Sequence, residues 1–257
     1  MMVSFRKASH RSWNLDWDGY ARAMIFWIGT SGFQYPEWKD KFYPEKMPAS
    51  KMLAYYAERF TSTEINYTFR QIPKETTIRG WCEATPAQFK FSFKAPQRVT
   101  HFSRLRDCGE ILEVFQTAIA AAGEKAGVVL FQLPPNFSKN VELLSAFLKD
   151  VPKRMRIAFE FRHESWFEDS VFEALRAANA ALCIAENEEL ATPAVATADF
   201  GYLRLRREDY KPAQVKKWAR WIKEQEPQWS EAFVYFKHEE QAVGPKFARQ
   251  MQKELAS

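Results

Sequence analysis

The sequence predicts an α/β fold: a closed parallel barrel of the TIM (β/α)8 type in which the sixth helix is short or missing. Three observations predict it. Short apolar strands alternate with amphipathic helices along the chain, the pattern of βαβ units and a parallel sheet. Eight such units fit into 257 residues, close to the roughly 250 that one closed barrel needs. Polar side chains recur where the strands end, and parallel barrels carry their chemistry on that carboxyl face.

The elements follow in order. Ile25–Thr30 reads as the first strand, broken by Ser31-Gly32-Phe33 and followed by a ring-rich loop. Ser50 has the character of a helix cap, after which Met52, Leu53, Tyr56 and Phe60 share one face. Thr63–Asn66 is the second strand and a helix runs near Glu75–Glu83. In the third strand, Phe89–Lys94, Phe alternates with Lys and Ser, which predicts one buried face. Ile111, Leu112, Phe115, Ile119 and Ala122 mark the third helix. Val128–Leu133 is a fully buried strand stopped by Pro134-Pro135, and Leu143, Leu144, Phe147 and Leu148 mark the fourth helix.

Arg156–Phe161 is the fifth strand, apolar around a single Glu160, and a helix spans Asp169–Ala178. Ala181–Glu186 is the sixth strand. The segment 187–199 is polar and has no helical period, hence the weak sixth helix. Tyr202–Arg206 and Ala232–Phe236 are the last two strands. Val215, Trp218, Trp221 and Ile222 mark the seventh helix; Phe247, Met251 and Leu255 mark the eighth. No internal repeat, low-complexity tract or linker interrupts the series, so residues 24–257 read as one domain. Residues 1–23 lack either period and carry net charge +2. They read as a disordered extension, either a basic targeting segment or a stretch upstream of a natural start at Met24; Asp16, Trp17 and Asp18 favour the second.

Composition narrows the function classes. Charged residues at 27% exclude a disordered chain, and 22 Phe, 9 Trp and 9 Tyr supply a large core or a ring-lined cleft. The net charge of +5 permits acidic partners without requiring them. Cys82, Cys108 and Cys183 are odd in number and far apart, which argues against a disulfide framework or zinc ribbon and for a reducing, cytoplasmic setting. No apolar run approaches membrane-spanning length. Phosphate-loop, dinucleotide, nucleophile-elbow and H-E-x-x-H motifs are all missing, so the sequence names no cofactor. His101, His163 and His238 are too few for a multi-zinc hydrolase, and no metal ligand is assigned; one metal on carboxylates and His163 stays open.

The carboxyl ends of the strands collect Ser31, Glu64, Asn66, Lys94, Gln132, Glu160, Arg162, His163, Glu186, Arg204, Arg206, Lys237 and His238. Each has a plain structural alternative. Glu64 could satisfy backbone groups, Glu160 could pair with Arg162 or Lys94, His163 could cap a strand end, and the Trp27, Trp38, Trp81 and Trp166 set could be core. The run 204–223 carries net charge +6, which is ordinarily a solvated helix face. Arg204 and Arg206 nonetheless share one strand face, and barrels often seat phosphate at this corner.

Several blocks in order carry a resemblance: Ile28-Gly-Thr-Ser-Gly-Phe33 with Trp38 and Tyr43-Pro44, Glu64-Ile-Asn-Tyr-Thr-Phe69 with Pro73, Phe91-Ser-Phe-Lys94 with His101, Gln132-Leu-Pro-Pro-Asn-Phe137, and Glu160-Phe-Arg-His-Glu-Ser-Trp166. They resemble the DUF72 (YecE-like) family over about Ile25–Leu255. The resemblance implies a TIM barrel and hands over no reaction; likeness to endonuclease IV-like and sugar-isomerase-like enzymes is one of fold alone. The chain departs from the family pattern at Arg204-Leu-Arg206-Arg207, at Lys237-His238 and at Arg70.

The expectation is an enzyme acting on a small anionic (phosphate-bearing) or sugar-like substrate by carboxylate acid–base chemistry. Glu160 is its acid or base, Glu64 the partner carboxylate with a pKa pushed apart from it, and His163 a relay. Ser31, Asn66, Lys94, Gln132, Arg162, Trp166, Arg204 and Lys237 line the substrate, and Phe33 helps to wall it. Two rivals remain: a nucleic-acid-binding protein that stacks bases on its rings, possibly endonuclease IV-like, and a non-catalytic small-ligand binder. The sequence is silent on oligomeric state.

Overall fold

The structure, a computed structural model, describes residues 23–186, 190–207, 209–237 and 242–257. The expected extension 1–23, apart from its last residue, lies outside the described residues, as do His238 and Glu208. Eight parallel strands close on themselves in sequence order. They are β1 (Ile25–Ser31), β2 (Ser62–Ile65), β3 (Lys90–Lys94), β4 (Ala126–Gln132), β5 (Ile157–Glu160), β6 (Ala181–Glu186), β7 (Phe200–Leu205) and β8 (Glu231–Phe236). The seam between β8 and β1 is paired from Ile25↔Glu231 to Thr30↔Phe236. The helices are α1 (Ala49–Ala57), α2 (Glu75–Glu83), α3 (Gly109–Ala120), α4 (Val141–Asp150), α5 (Asp169–Ala177), α6 (Pro212–Glu224) and α7 (Val243–Ala256). The described part of the β6–β7 connection holds no helix, so α6 is the helix that the sequence placed seventh.

Local chemistry accounts for the helix starts. Asn140 caps α4 by accepting from Leu143 N at 2.8 Å. Pro212 opens α6, where a missing N–H costs nothing. Ser50 is not a cap: α1 begins one residue earlier, behind an extended Pro48 whose side chain can accept no hydrogen bond. Between β1 and β2 the backbones approach so closely at Gly29 that a Cβ there would lie 1.8 Å from Ser62 O. Tyr56 of α1 reaches over this seam and accepts from Thr30 N at 2.7 Å.

Two apolar clusters separate the layers. The larger packs the outward strand residues, among them Phe89, Phe91 and Phe93, against the helices. The smaller fills the barrel interior with Trp27, Val128, Leu130, Ala158, Cys183, Phe200, Tyr202, Phe233 and Tyr235. Alternation on β3 therefore runs opposite to that of a surface strand: the Phe residues face the helices, and Lys90, Ser92 and Lys94 face the lumen. At the amino-terminal mouth Glu231 accepts from Trp27 Nε1 at 2.6 Å and from Arg156 Nη1 at 3.2 Å. Arg156 lies over the Phe200 ring at 4.3 Å. Midway up, Tyr235 OH bonds Ser62 Oγ at 2.6 Å and Ser92 Oγ at 2.8 Å, which satisfies the buried hydroxyls. No helix among the described residues is long and apolar enough to cross a membrane.

Candidate functional site

Above those hydroxyls the lumen ends in a charged layer built by strand register. Ser31 pairs with Glu64 across β1–β2, and Gln132 pairs with Glu160 across β4–β5. Arg204, on β7, stands beside Ala185 and Tyr235 and reaches both acids. Its Nη2 donates to Glu64 Oε1 at 2.8 Å and to Ser31 Oγ at 3.1 Å, and its Nη1 donates to Glu160 Oε2. Ser31 Oγ donates to Glu64 and accepts from Asn66 Nδ2 at 2.8 Å. Tyr202 OH donates to Glu64 Oε2 at 2.6 Å. Glu160 Oε1 accepts from Gln132 Nε2 at 2.8 Å, Arg162 Nε at 3.1 Å and Arg206 Nη1 at 3.4 Å.

This network sets the protonation states. Glu64, Glu160 and Arg204 are buried. Burial alone would raise a carboxyl's pKa. For Glu64 the guanidinium of Arg204, with Ser31 and Tyr202, outweighs burial and holds the group below the ordinary 4.5. For Glu160 the three guanidiniums of Arg204, Arg206 and Arg162 do so more strongly. The expected separation of the two carboxyl pKa values is therefore not found: both move down, because one arginine is shared between them. Arg204 in turn stays charged, its burial offset by Glu160 and Glu64.

Lys94 behaves differently. It ends β3 opposite Leu130, an interior residue. Burial, then repulsion from Arg204, lowers its amine from 10.5 to about 7 against the smaller pull of Glu64 and Glu160. Nζ lies 4.0 Å from the centroid of the Phe69 ring. His101, from a π turn at Arg98–Phe102, meets the same ring edge-on at 5.0 Å.

A cavity of about 230 Å³ opens beside Glu160 at the ends of β4–β7, lined by Pro135, Arg162, Leu190, Thr192 and Arg206 among others. The expected residues Ser31, Glu64, Asn66, Gln132, Glu160, Arg162 and Arg204 thus belong to one bonded layer, with Lys94 next to it. Others do not. His163 caps the one-turn helix Glu164–Trp166, its Nδ1 accepting from Ser165 N at 3.2 Å and bonded to Ser165 Oγ at 2.8 Å. Trp166 is core rather than cavity wall. Its ring stacks on Phe161 at 4.6 Å, and its Nε1 donates to Phe137 O at 2.6 Å. It thereby ties the loop after β5 to the loop after β4, as does Lys139 N donating to Ser165 Oγ at 2.8 Å. Phe33 packs near Tyr56 at 6.1 Å, in the helix-facing core. Glu186 faces the helices, accepting from Tyr210 OH at 2.5 Å and Trp218 Nε1 at 2.8 Å. Lys237 follows β8 half-buried, its N donating to Leu205 O at 3.2 Å.

Tyr202 is a functional candidate that the expectation passed over, though it precedes Arg204 by two residues and shares its strand face. Arg206, read together with Arg204 as an anion contact, does reach Glu160. The basic run beyond them is a solvated face: Lys216, Lys217 and Arg220 of α6 are exposed. Among the described residues no group of three or more His, Cys, Asp and Glu side chains comes together as a metal site would need.

Comparison with known proteins places this architecture. The UPF0759 protein YecE of Escherichia coli (strain K12) is 28% identical over 144 residues, 56% of this chain and 50% of that protein. The UPF0759 protein YunF of Bacillus subtilis (strain 168) is 29% identical over 162 residues, 58% of this chain and 55% of its own. The chain thus spans about half the length of the curated relatives it matches. Among solved structures, a DUF72 family protein (TM1631) from Thermotoga maritima superposes with a TM-score of 0.81 at 27% identity, covering 91% of this chain and 100% of that one. A DUF72 family protein (EF0366) from Enterococcus faecalis superposes at 0.71 with 18% identity over 92% and 99% of the two chains, a likeness of fold. The model described as "Protein of unknown function DUF72" matches residues 27–257. The chain belongs to the DUF72 family.

Proposed function

We propose that this barrel takes a small anionic substrate on its carboxyl face, with the anion seated between Arg162 and Arg206. One observation carries the reading: both guanidiniums line the cavity, and each donates only a single N–H to Glu160 among the described residues. A guanidinium has five donors, so most of each fork is left to a ligand. Charge agrees. Three guanidiniums meet two carboxylates in this layer, one positive charge in excess before Lys94 is counted. The volume suits a carboxylate or phosphate on a short carbon chain better than a sugar polymer or a dinucleotide.

An enzyme at this site needs a group that trades protons near neutral pH. Glu160 and Glu64 are held ionised by Arg204 and act as fixed negative charges that orient the arginines. Lys94, with its amine near 7, takes the acid–base role. Titration calorimetry with inorganic phosphate and with small carboxylates tests the seat. Arg206→Ala weakens binding about ten-fold or more, as loss of a charge-assisted pair does. Equal affinities for the two proteins overturn the reading.

A second reading has its own observation. Tyr67 and Phe102 are large, exposed rings, 52% and 72% accessible, on the loops after β2 and β3. The Phe69–His101 contact joins those loops, and Arg98, Arg104 and Arg106 accompany them. Rings among cations can stack unpaired bases. That reading requires binding of a single-stranded oligonucleotide that weakens steeply with salt and with Phe102→Ala; fluorescence anisotropy that stays flat at low salt removes it.

A further inference from the structure

The charged layer contains one amine that its acids do not hold. Lys94 points into the lumen from the end of β3, and its carbonyl accepts from Thr68 Oγ1 at 2.6 Å, which fixes the strand end. Two carboxylates share the layer, yet among the described residues neither bonds to Nζ. Other donors already crowd both acids. Glu160 accepts from Gln132, Arg162, Arg206 and Arg204, four donors for about four acceptor sites. Glu64 is taken by Arg204, Ser31 and Tyr202. The amine lies over the face of Phe69 instead.

We infer that Lys94 is an amine nucleophile, condensing with the carbonyl carbon of a small 2-oxo acid whose carboxylate is seated by Arg162 and Arg206. The inference deepens the anion-seat reading above, rests on it for the class of substrate, and gives Lys94 a covalent role in place of the acid–base one. The charged groups that face the amine are Arg204, Glu64, Glu160 and Arg162, with His101 nearby. Burial and Arg204 lower the amine to about 7, toward the neutral form that a nucleophilic lysine requires. The step is a condensation. The nitrogen lone pair forms the bond to carbon, and the carbonyl π pair moves to oxygen. That oxygen departs as water with the two protons that Nζ gives up, leaving an imine. No oxidant or reductant enters.

The test uses the full chain, sodium pyruvate as probe, cyanoborohydride at pH 7 to reduce any imine, and peptide mapping. Lys94 is expected to acquire the carboxyethyl adduct at least about ten-fold faster than any other lysine. Acetaldehyde, which has no carboxylate, serves as the second probe. Replacing Arg162 and Arg206 together by Ala should cut pyruvate labelling of Lys94 about ten-fold more than it cuts acetaldehyde labelling, which reads the change in the amine itself now that Arg162 no longer faces it. Pyruvate labelling of Lys94 at the rate of surface lysines overturns the inference, even where calorimetry finds pyruvate seated by the arginines. Acetaldehyde preference for Lys94 with no arginine dependence for pyruvate overturns the anion seat, and the oxo-acid class with it, while the nucleophile stands. Lys94→Arg keeps the charge and must abolish the adduct; an adduct that persists refutes the assignment.

Discussion

Arg204→Met isolates the central interaction of the charged layer. Met keeps much of the apolar stem and removes the guanidinium. Glu160 retains Arg162 and Arg206, but Glu64 keeps only the hydroxyls of Ser31 and Tyr202. Glu64 is fully buried. Removing one partner of such a pair costs about 3–5 kcal/mol, because the remaining ion stays uncompensated in a medium of low polarity. The pH dependence gives the sharper signature. In the native protein both carboxyls are held below 4.5, so their contribution is complete above pH 4.5 and is lost as pH falls below it. In the variant, burial of Glu64 is opposed only by the two hydroxyls, and its pKa rises. The penalty is then full at neutral pH and is relieved as pH falls through the raised value. Urea denaturation at pH 7, 5.5 and 4.5 should therefore show the two stabilities converging on acidification. Adding Glu64→Gln to Arg204→Met should recover about 2 kcal/mol at pH 7, by direct coupling of neighbouring sites. A gap below about 1 kcal/mol at pH 7, a gap constant with pH, or a double variant no better than the single would refute the reasoning.

Three further outcomes follow from other parts of the barrel. Lys94→Met should stabilise the protein at pH 7 by a few kcal/mol, up to about 5, from the fall of the amine from 10.5 to about 7 at about 1.36 kcal/mol per power of ten. Native stability should climb with pH between about 7 and 10.5 as the unfolded chain binds the extra proton, and the variant should lack that climb; parallel denaturation midpoints across the window would contradict it. Glu231→Gln leaves Arg156 at the amino-terminal mouth without its carboxylate and should cost about 1–3 kcal/mol in urea melts. Because it lies at the opposite end from the cavity, phosphate affinity measured by calorimetry should not move. Gly29→Ala forces a Cβ into Ser62 O and should destabilise by more than about 3 kcal/mol, since backbone rather than a movable side chain is in the way; a thermal midpoint within a few degrees of the native one would rule out that close approach.

Much of the barrel was legible in the sequence because buried parallel strands leave a plain mark. Val128–Leu133 and Ala181–Glu186 are apolar on both faces, and a parallel barrel buries both. The Phe–Lys alternation of β3 was read as a half-buried strand, but both faces are enclosed: the polar side faces the lumen, where Ser92 is buried. Alternation records that two environments differ, not which of them is water. The charged layer was legible for the same reason: a residue at a strand end has its direction fixed by the pleat, so Glu64, Gln132, Glu160 and Arg204 had to meet. Residues past the strand end escape that rule. His163 and Trp166 follow Glu160 by only a few positions, yet the one-turn helix at Glu164–Trp166 swings them away, one into a cap and one into the core. The protonation of the acids was not legible either. Whether two carboxyls split or sink together depends on which of them an arginine reaches, and only distances decide that. Arg204 reaches both.

The vertical order of the lumen bears on why the charges are there. At the amino-terminal mouth rings surround the Glu231–Arg156 pair, and in the middle rings and hydroxyls satisfy one another, as with Tyr235, Ser62 and Ser92. A filled barrel needs nothing more for stability. The carboxyl layer departs from that economy: it buries two carboxylates and a guanidinium, and hydrophobic groups of similar volume often replace such pairs at no loss of stability. It also lowers the affinity of a lysine for its proton, which costs stability at neutral pH. Both features act in the same direction, since they hold Arg162 and Arg206 against the cavity with donors to spare and keep Lys94 off the acids. A layer that costs stability and leaves positive charge uncompensated is intelligible through what enters the cavity rather than through what holds the barrel shut. The convergence of the Arg204→Met and native stabilities on acidification bears on the first half of that argument, and the arginine dependence of pyruvate labelling at Lys94 bears on the second.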